Sequence, residues 1–193
     1  MENTCQKLSS KEVELIIKKS GFNICHKKVE GKRDAVFVSK NEIGLSKRSL
    51  SFLEGRGIDA LWAHQANAII ESIRGNNVCV TTSTSSGKTE IFQISAIEAL
   101  EKNKTSMVLV IYPMKALNRQ QLERWERTGY SIGKIDGDTT DIKIREKMLS
   151  DSRILIMTPD VMHTFLLGKI NDNKIGGGTI RRTPFIPTIT NWI

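Results

Sequence analysis

Residues 82–89, Thr-Ser-Thr-Ser-Ser-Gly-Lys-Thr, constrain this chain more than any other stretch of it. They lie between a β-branched run, Val78-Cys79-Val80-Thr81-Thr82, and a segment from Lys88 to Asn103 whose apolar residues recur at helical spacing. A loop of small residues ending in Gly-Lys-Thr at the mouth of a helix suits the grip of a phosphate. The first N–H groups of a helix have no intrahelical acceptor, and the helix dipole favours an anion there. Against the phosphate-loop template G-x-x-x-x-G-K-[ST], only the first glycine is replaced, by Thr82. Gly87 permits the turn and a close approach. Lys88 brings a charge to the β- and γ-phosphates, and Thr89 offers a hydroxyl to Mg²⁺. Ser83, Thr84, Ser85 and Ser86 are small enough for their N–H groups to line a phosphate nest. The rival reading is a plain strand–turn–helix with no ligand.

The surrounding pattern supports a layered α/β fold. From Val78 onward, strand-like and helix-like segments alternate. MVLVIY (107–112) and RILIM (153–157) are apolar on both faces, and GKID (133–136) is a weaker strand. Between them run helical patterns: MKALNRQQLERWER, with Leu117, Leu122 and Trp125 as its apolar face, and DIKIREKMLS. A last helix, PDVMHTFLLG, is started by Pro159 and ended by Gly168. Such alternation predicts a parallel sheet with helices on both faces.

Before Val78 the texture differs. Ser9 and Glu12 form a capping-box start, and Gly21 ends that helix. Residues 22–29 and 34–39 read as a hairpin around Glu30-Gly31-Lys32-Arg33. A short helix ends near Gly55, and LWAHQANAIIESIR is an amphipathic helix leading to the turn at Gly75-Asn76-Asn77. The expected organisation is a small α+β appendage over 1–44, the main domain over 45–168 and an irregular tail over 169–193, which carries three consecutive glycines.

Composition excludes several classes. A hydrophobic fraction of 39% and a charged fraction of 26% suit a water-soluble core-forming chain. No apolar run approaches the ~20 residues that span a bilayer. The N-terminus lacks the apolar segment of a signal peptide, so the cytoplasm is the expected location. Cys5, Cys25 and Cys79 are widely spaced, as are His26, His64 and His163, and neither set has metal-ligand spacing. The net charge of +8 suits an anionic partner. Lys18, Lys19, Lys27, Lys28, Lys32 and Arg33 cluster around Glu30 alone, either as a solvated surface or as an auxiliary phosphate-contacting patch.

Further stretches carry chemistry. Gln65, in Leu-Trp-Ala-His-Gln, has an amide able to donate to and accept from an adenine edge. Pro113, in IYPMKALNRQQ, and Pro159, in IMTPDVMH, each stand where a strand becomes a helix. A proline at the first helical position leaves the helix N-terminus open to a nucleic-acid phosphate, a contact that reads no sequence. Both follow the carboxyl ends of parallel strands, where ligands sit in open α/β sheets.

Taken in order, these stretches resemble the first RecA-like lobe of superfamily-2 DExH/DEAD-box helicases. They are nearest in look to the bacterial and fungal branch of multi-domain DNA repair helicases. The resemblance covers about residues 45–168. It implies a P-loop NTPase of RecA-like fold that binds ATP with Mg²⁺ and holds DNA, with RNA an option. Gln65 falls on the family's Q-motif glutamine, and Thr82, Ser83, Thr84, Ser85, Ser86, Gly87, Lys88 and Thr89 fall on motif I. Lys88 and Thr89 are thereby the implied catalytic residues, with Thr89 on the metal. Pro113, Met114, Lys115, Ala116 and Leu117 fall on motif Ia; Asp136, Gly137, Asp138 and Thr139 on the DGDT turn; Thr158, Pro159 and Asp160 on motif Ib. These imply the nucleic-acid contacts.

The family's motif II, Asp-Glu-x-His after an apolar strand, does not occur in these residues, nor does a second RecA-like lobe. The expectation is therefore an incomplete lobe that needs a missing lobe or another chain, with little ATP turnover alone. Two rivals stand beside it: an inactive remnant that only binds nucleotide or nucleic acid, and an unrelated P-loop kinase or ATPase.

Overall fold

In the three-stranded sheet, successive residues of each strand face opposite cores, as the two-residue period of a strand requires. The computed structural model describes residues 9–26, 35–83 and 86–167, without the side chains of Ser10 and of residues 117–120. Thr84, Ser85, Gly168, the Glu30–Arg33 turn, Cys5 and the expected tail over 169–193 lie outside the described residues. The chain divides into two compact units, Met1–Ala35 and Val36–Ile193.

In the first unit, helix α1 spans Ser10–Lys19. Its capping box is formed: Glu12 N donates to Ser9 Oγ at 3.3 Å, and Ser9 N donates to the Glu12 carboxylate at 2.7 Å. Gly21 takes φ +79°, and the Phe22 N–H returns to the carbonyl of Ile17, closing the helix.

The second unit begins with a two-stranded antiparallel ribbon, β1 (Phe37–Ser39) on β2 (Ala60–Trp62), in the register Val38 to Leu61. This corrects the hairpin reading: Phe37–Ser39 does form a strand, but its antiparallel partner is Ala60–Trp62, and residues 27–34 lie outside the described residues. Leu61, the inward residue of β2, is fully buried and draws the ribbon onto the core. Between the two strands lies α2 (Lys47–Glu54), capped by Ser46, whose Oγ accepts from Ser49 N. Next come α3 (Ala63–Ile73) and α4 (Lys88–Lys102), the latter presenting Ile91, Ile94, Ile97 and Leu100 inward.

The main sheet is parallel, in the order β3 (Val108–Ile111), β5 (Ile154–Met157), β4 (Ile132–Ile135). Helix α5 (Lys115–Glu126) connects β3 to β4, and α6 (Ile142–Asp151) connects β4 to β5. After β5, α7 (Pro159–Val161) runs into a wider π-type turn, Met162–Leu167. Val108, Val110, Ile154 and Ile156 face a core shared with α2, α3, α4 and Trp125 of α5. Leu109, Ile111, Leu155, Met157 and Ile135 face a second core with Met148 and Leu149 of α6 and with Val161, Phe165 and Leu166. Helices therefore cover both faces of a parallel sheet, the RecA-like layering.

Val78 to Thr82 forms no strand. Val78 and Val80 are only partly buried against the first core, and no described residue pairs with this segment. A β-branched run becomes a strand only when a neighbour satisfies its backbone groups, and that ladder is missing among the described residues.

Candidate nucleotide and nucleic-acid sites

Gly87 is the N-cap of α4 and sits in the left-handed region at φ +74°, with no side chain capping the helix. A Cβ placed there would meet Gln65 Nε2 at 2.1 Å, so both the backbone angle and the space demand glycine. The loop is drawn closed from within. Lys88 Nζ donates to the carbonyls of Thr82 at 2.9 Å and Ser83 at 2.7 Å. The hydroxyls of Thr82 and Ser86 bond to each other at 2.5 Å. Thr89 is half-buried in the first turn of α4.

Helix α3 holds the loop from the other side. Gln65 Nε2 donates to the Gly87 carbonyl at 2.9 Å, while Gln65 Oε1 accepts from Trp62 N at 2.9 Å. His64 Nε2 lies 3.0 Å from the Ser86 carbonyl, an arrangement that asks for the Nε2-protonated tautomer. Gln65 is buried at 4% exposure, yet each end of its amide keeps one further hydrogen-bonding valence.

The sequence reading missed the aromatic side chains beside this anchor. Phe37 and Trp62 pack across the β1–β2 ribbon as a tilted pair, 44° between planes with ring centroids 4.8 Å apart, and the Trp62 and His64 rings are 6.3 Å apart. Phe37 and Trp62 remain 54% and 45% exposed, a large apolar surface left in water next to a buried polar anchor. Nothing local marks Phe37, because its position depends on pairing with residues distant in sequence.

The second group of expected residues gathers at the carboxyl edge of the main sheet, because all three parallel strands end there. After β3, Pro113 and Met114 are exposed and α5 begins at Lys115 without a side-chain cap. Ala116 is exposed in the same turn, while the Leu117 side chain lies outside the described residues. After β4 comes the Asp136–Thr139 turn, and after β5 come the buried Thr158 and the exposed Pro159 and Asp160. Lys115 Nζ reaches Asp138 Oδ1 at 2.6 Å, joining two of these loops.

Asp136 organises the turn. It is 1% exposed, and its carboxylate accepts from Lys134 Nζ at 2.9 Å and from Asp138 N at 3.1 Å. Burial pushes its carboxyl up. The Lys134 hydrogen bond, the Asp138 N–H and the charges of Lys134 and Lys115 outweigh that and hold it below the usual carboxylate range. Arg145 of α6 donates to the Thr139 carbonyl at 2.5 Å, a support the sequence did not announce. The N–H groups of Asp138 and Thr139 are both engaged with Asp136. The turn is therefore preformed, and its outward groups are side chains.

A helix entered through a Gly-Lys-Thr loop and a parallel sheet with loops gathered at its carboxyl edge define a RecA-like lobe. The DEAD/DEAH box helicase family model matches residues 62–181, more than half of the chain, and the chain belongs to that family. It is 34% identical over 122 residues to the ATP-dependent helicase HRQ1 of Saccharomyces cerevisiae, a match covering 59% of this chain and 11% of that protein. It is 31% identical over 129 residues to the ATP-dependent helicase YprA of Bacillus subtilis, covering 64% of this chain and 17% of that one. Among solved structures, the helicase MrfA bound to DNA and AMPPNP superposes with a TM-score of 0.69 at 29% identity, covering 82% of this chain and 23% of that one. The chain thus spans less than a quarter of each of these relatives. No described helix is long and apolar enough to cross a membrane.

Proposed function

We infer that this chain is the nucleotide-binding and nucleic-acid-binding part of the first lobe of an ATP-dependent DNA helicase. The observation that carries the reading is Lys88, bonded to the carbonyls of Thr82 and Ser83 at the uncapped N-terminus of a 15-residue helix. An ammonium held by two neutral carbonyls keeps its full charge, and phosphate oxygens are stronger acceptors that would replace them. The N–H groups of α4 add a second anion-seeking element. The cradle therefore fits a polyphosphate. Thr89 is the side chain this chain offers Mg²⁺, and no group of three or more His, Cys, Asp and Glu residues forms a metal cluster among the described residues.

Adenine fits between the remaining valences of Gln65 and the exposed face of Trp62 on Phe37. Stacking contributes area, and the amide contributes direction. DNA phosphates fit at the open start of α5, with Lys115, and at Thr158–Asp160. These contacts hold a strand without reading its bases. DNA is favoured over RNA because the MrfA structure contains DNA. Both sites lying on one lobe suits coupling of nucleotide state to strand grip.

Titration with a fluorescent ATP analogue in Mg²⁺ buffer tests this. Wild-type chain should saturate, and Lys88→Ala should lose at least tenfold in affinity. Equal affinity for the two would refute the nucleotide site.

A further inference from the structure

A cavity of about 650 Å³ opens between α2 and the end of α5, lined among others by Lys47, Arg48, Ser51, Phe52, Arg56 and Arg127. Its wall holds four basic side chains and no carboxylate. The internal partners of those four decide how much charge the cavity shows. Arg56 is neutralised by Glu90 at 2.5 Å and also donates to Gln93. Arg48 makes no direct ion pair, but its charge acts on the nearby Glu101 carboxylate, which accepts from the Tyr130 hydroxyl. Its Nε and Nη2 donate to the carbonyls of Thr128 and Gly129, at 2.7 Å for the shortest, and it lies 4.0 Å above the Tyr130 ring. These partners fix the guanidinium without cancelling its charge, and Nη1 enters none of these hydrogen bonds. Lys47 and Arg127 are exposed, and their side chains make no hydrogen bond or ion pair with a described residue. Two exposed, unpartnered cations and one guanidinium only partly offset by Glu101 thus converge on one concavity.

The cavity is built rather than incidental. Gln93, fully buried in α4, accepts from Arg56 and donates to the Arg124 carbonyl of α5 at 2.7 Å, so it ties the segment just after α2 to α5. Phe52 is buried at 8% exposure with Arg56 lying 5.5 Å over its ring. Like charges gathered on one concave surface repel one another, and an anion relieves that repulsion. The volume suits a ligand of nucleotide size. The donors, two exposed cations, one fixed guanidinium and the Ser51 hydroxyl, match the several oxygens of phosphate groups.

We propose that this cavity binds phosphate groups, at a site separate from the loop at Gly87–Thr89. The phosphates come either from the backbone of a nucleic-acid strand or from a free oligophosphate. The test uses the 193-residue chain carrying Lys88→Ala, so that the nucleotide loop does not contribute. Onto it are placed Lys47→Glu with Arg127→Glu, and, as a charge-matched control, Lys102→Glu with Lys147→Glu. The probes are inorganic triphosphate, by calorimetry, and a fluorescent single-stranded oligothymidylate, by anisotropy, each over a range of NaCl. Lys47 and Arg127 are exposed, so melting temperatures should match the control. If they do not, Lys47→Gln with Arg127→Gln replaces the pair. The cavity variant should lose about tenfold in affinity for at least one probe, while the control loses less than threefold. For the oligonucleotide, the salt slope should fall by about 1.4, at ~0.7 per cation removed. Loss confined to triphosphate assigns the site to free oligophosphates, and loss confined to the oligonucleotide assigns it to a strand. Equal effects of the cavity and control pairs, or none from either, would overturn the proposal.

Discussion

The carboxamide of Gln65 bridges two backbone groups, donating to the Gly87 carbonyl and accepting from Trp62 N, each at 2.9 Å. The β1–β2 ribbon, helix α3 and the Gly87 loop are therefore linked through one side chain. Any ligand that changes the loop acts on Gln65, and through it on the Trp62 backbone.

Gly87→Ala should break that link in two ways. Its Cβ would fall 2.1 Å from Gln65 Nε2, and an L-residue at φ +74° costs about 1–2 kcal/mol. With the hydrogen bond lost as well, at roughly 1 kcal/mol, the melting temperature should fall by several degrees and nucleotide binding should be lost. Gln65→Ala removes the obstacle, so the double variant should be less destabilised than the sum of the two. Calorimetric melts of the four proteins check this, and strict additivity would contradict the link.

Lys115 and Asp138 form an ion pair with side chains 49% and 57% exposed, so the pair adds little stability. Its effect should lie in strand binding. Asp138→Asn releases the Lys115 charge and should raise affinity for single-stranded DNA two- to fivefold at low salt. Lys115→Ala should lower it by a similar factor. Both variants should melt within about 1 kcal/mol of wild type. Anisotropy titrations that move in the opposite directions would exclude Lys115 as a phosphate contact.

Asp136 makes the turn acid-sensitive. Its folded-state pKa lies below its unfolded value of about 3.9, so the folded state favours the charged form. The associated stability is complete above the unfolded value and is lost as pH falls through the folded one. Asp136→Asn should therefore be less stable than wild type at pH 7, with the gap narrowing below about pH 4. Urea melts across pH 3–7 measure it, and a gap independent of pH would show that the charge contributes nothing.

The two tyrosines should resist base. Burial raises the Tyr130 hydroxyl, and its hydrogen bond to Glu101 adds to this, taking it to about 12. Burial also raises Tyr112, whose oxygen accepts from Trp125 Nε1 at 3.0 Å. Absorbance at the phenolate band should thus show little ionisation at pH 10 in the folded chain and full ionisation after denaturation. For Tyr130, the neutral form is favoured by folding, so its contribution is present below pH ~10 and fades as pH rises towards 12. A normal tyrosine titration in the native chain would contradict the buried placement.

Much of this was legible in the sequence for a physical reason. Helices α4, α5 and α6 and strands β3 and β5 are continuous segments whose periodicity is set by their own residues. The Gly87 turn into α4 could be read because a Gly-Lys-Thr loop at the mouth of a helix is a local chain property. What escaped depended on contacts between distant segments. The three-residue strands β1 and β2 carry too little pattern to reveal each other, and the Phe37–Trp62 contact follows from that pairing. Val78 to Thr82 has a strand's composition without a strand's neighbour among the described residues. The cavity beside Arg127 arises only when α2 and the end of α5 meet.

The sheet order places β5, last of its three strands in sequence, between β3 and β4, with hydrogen bonds to both. On a ribosome this sets a timetable. Synthesis at ~5–20 residues per second leaves an interval of about 2–9 s between the emergence of Ile111 and of Ile154. During it β3 and β4 have no common neighbour, and Leu109, Ile111 and Ile135 have no second core to enter. A nascent chain in that interval presents two unpaired apolar strands to its surroundings. Slow codons placed before Ile154 would prolong that exposure, whereas slow codons after Leu167 would give the closed sheet time to form.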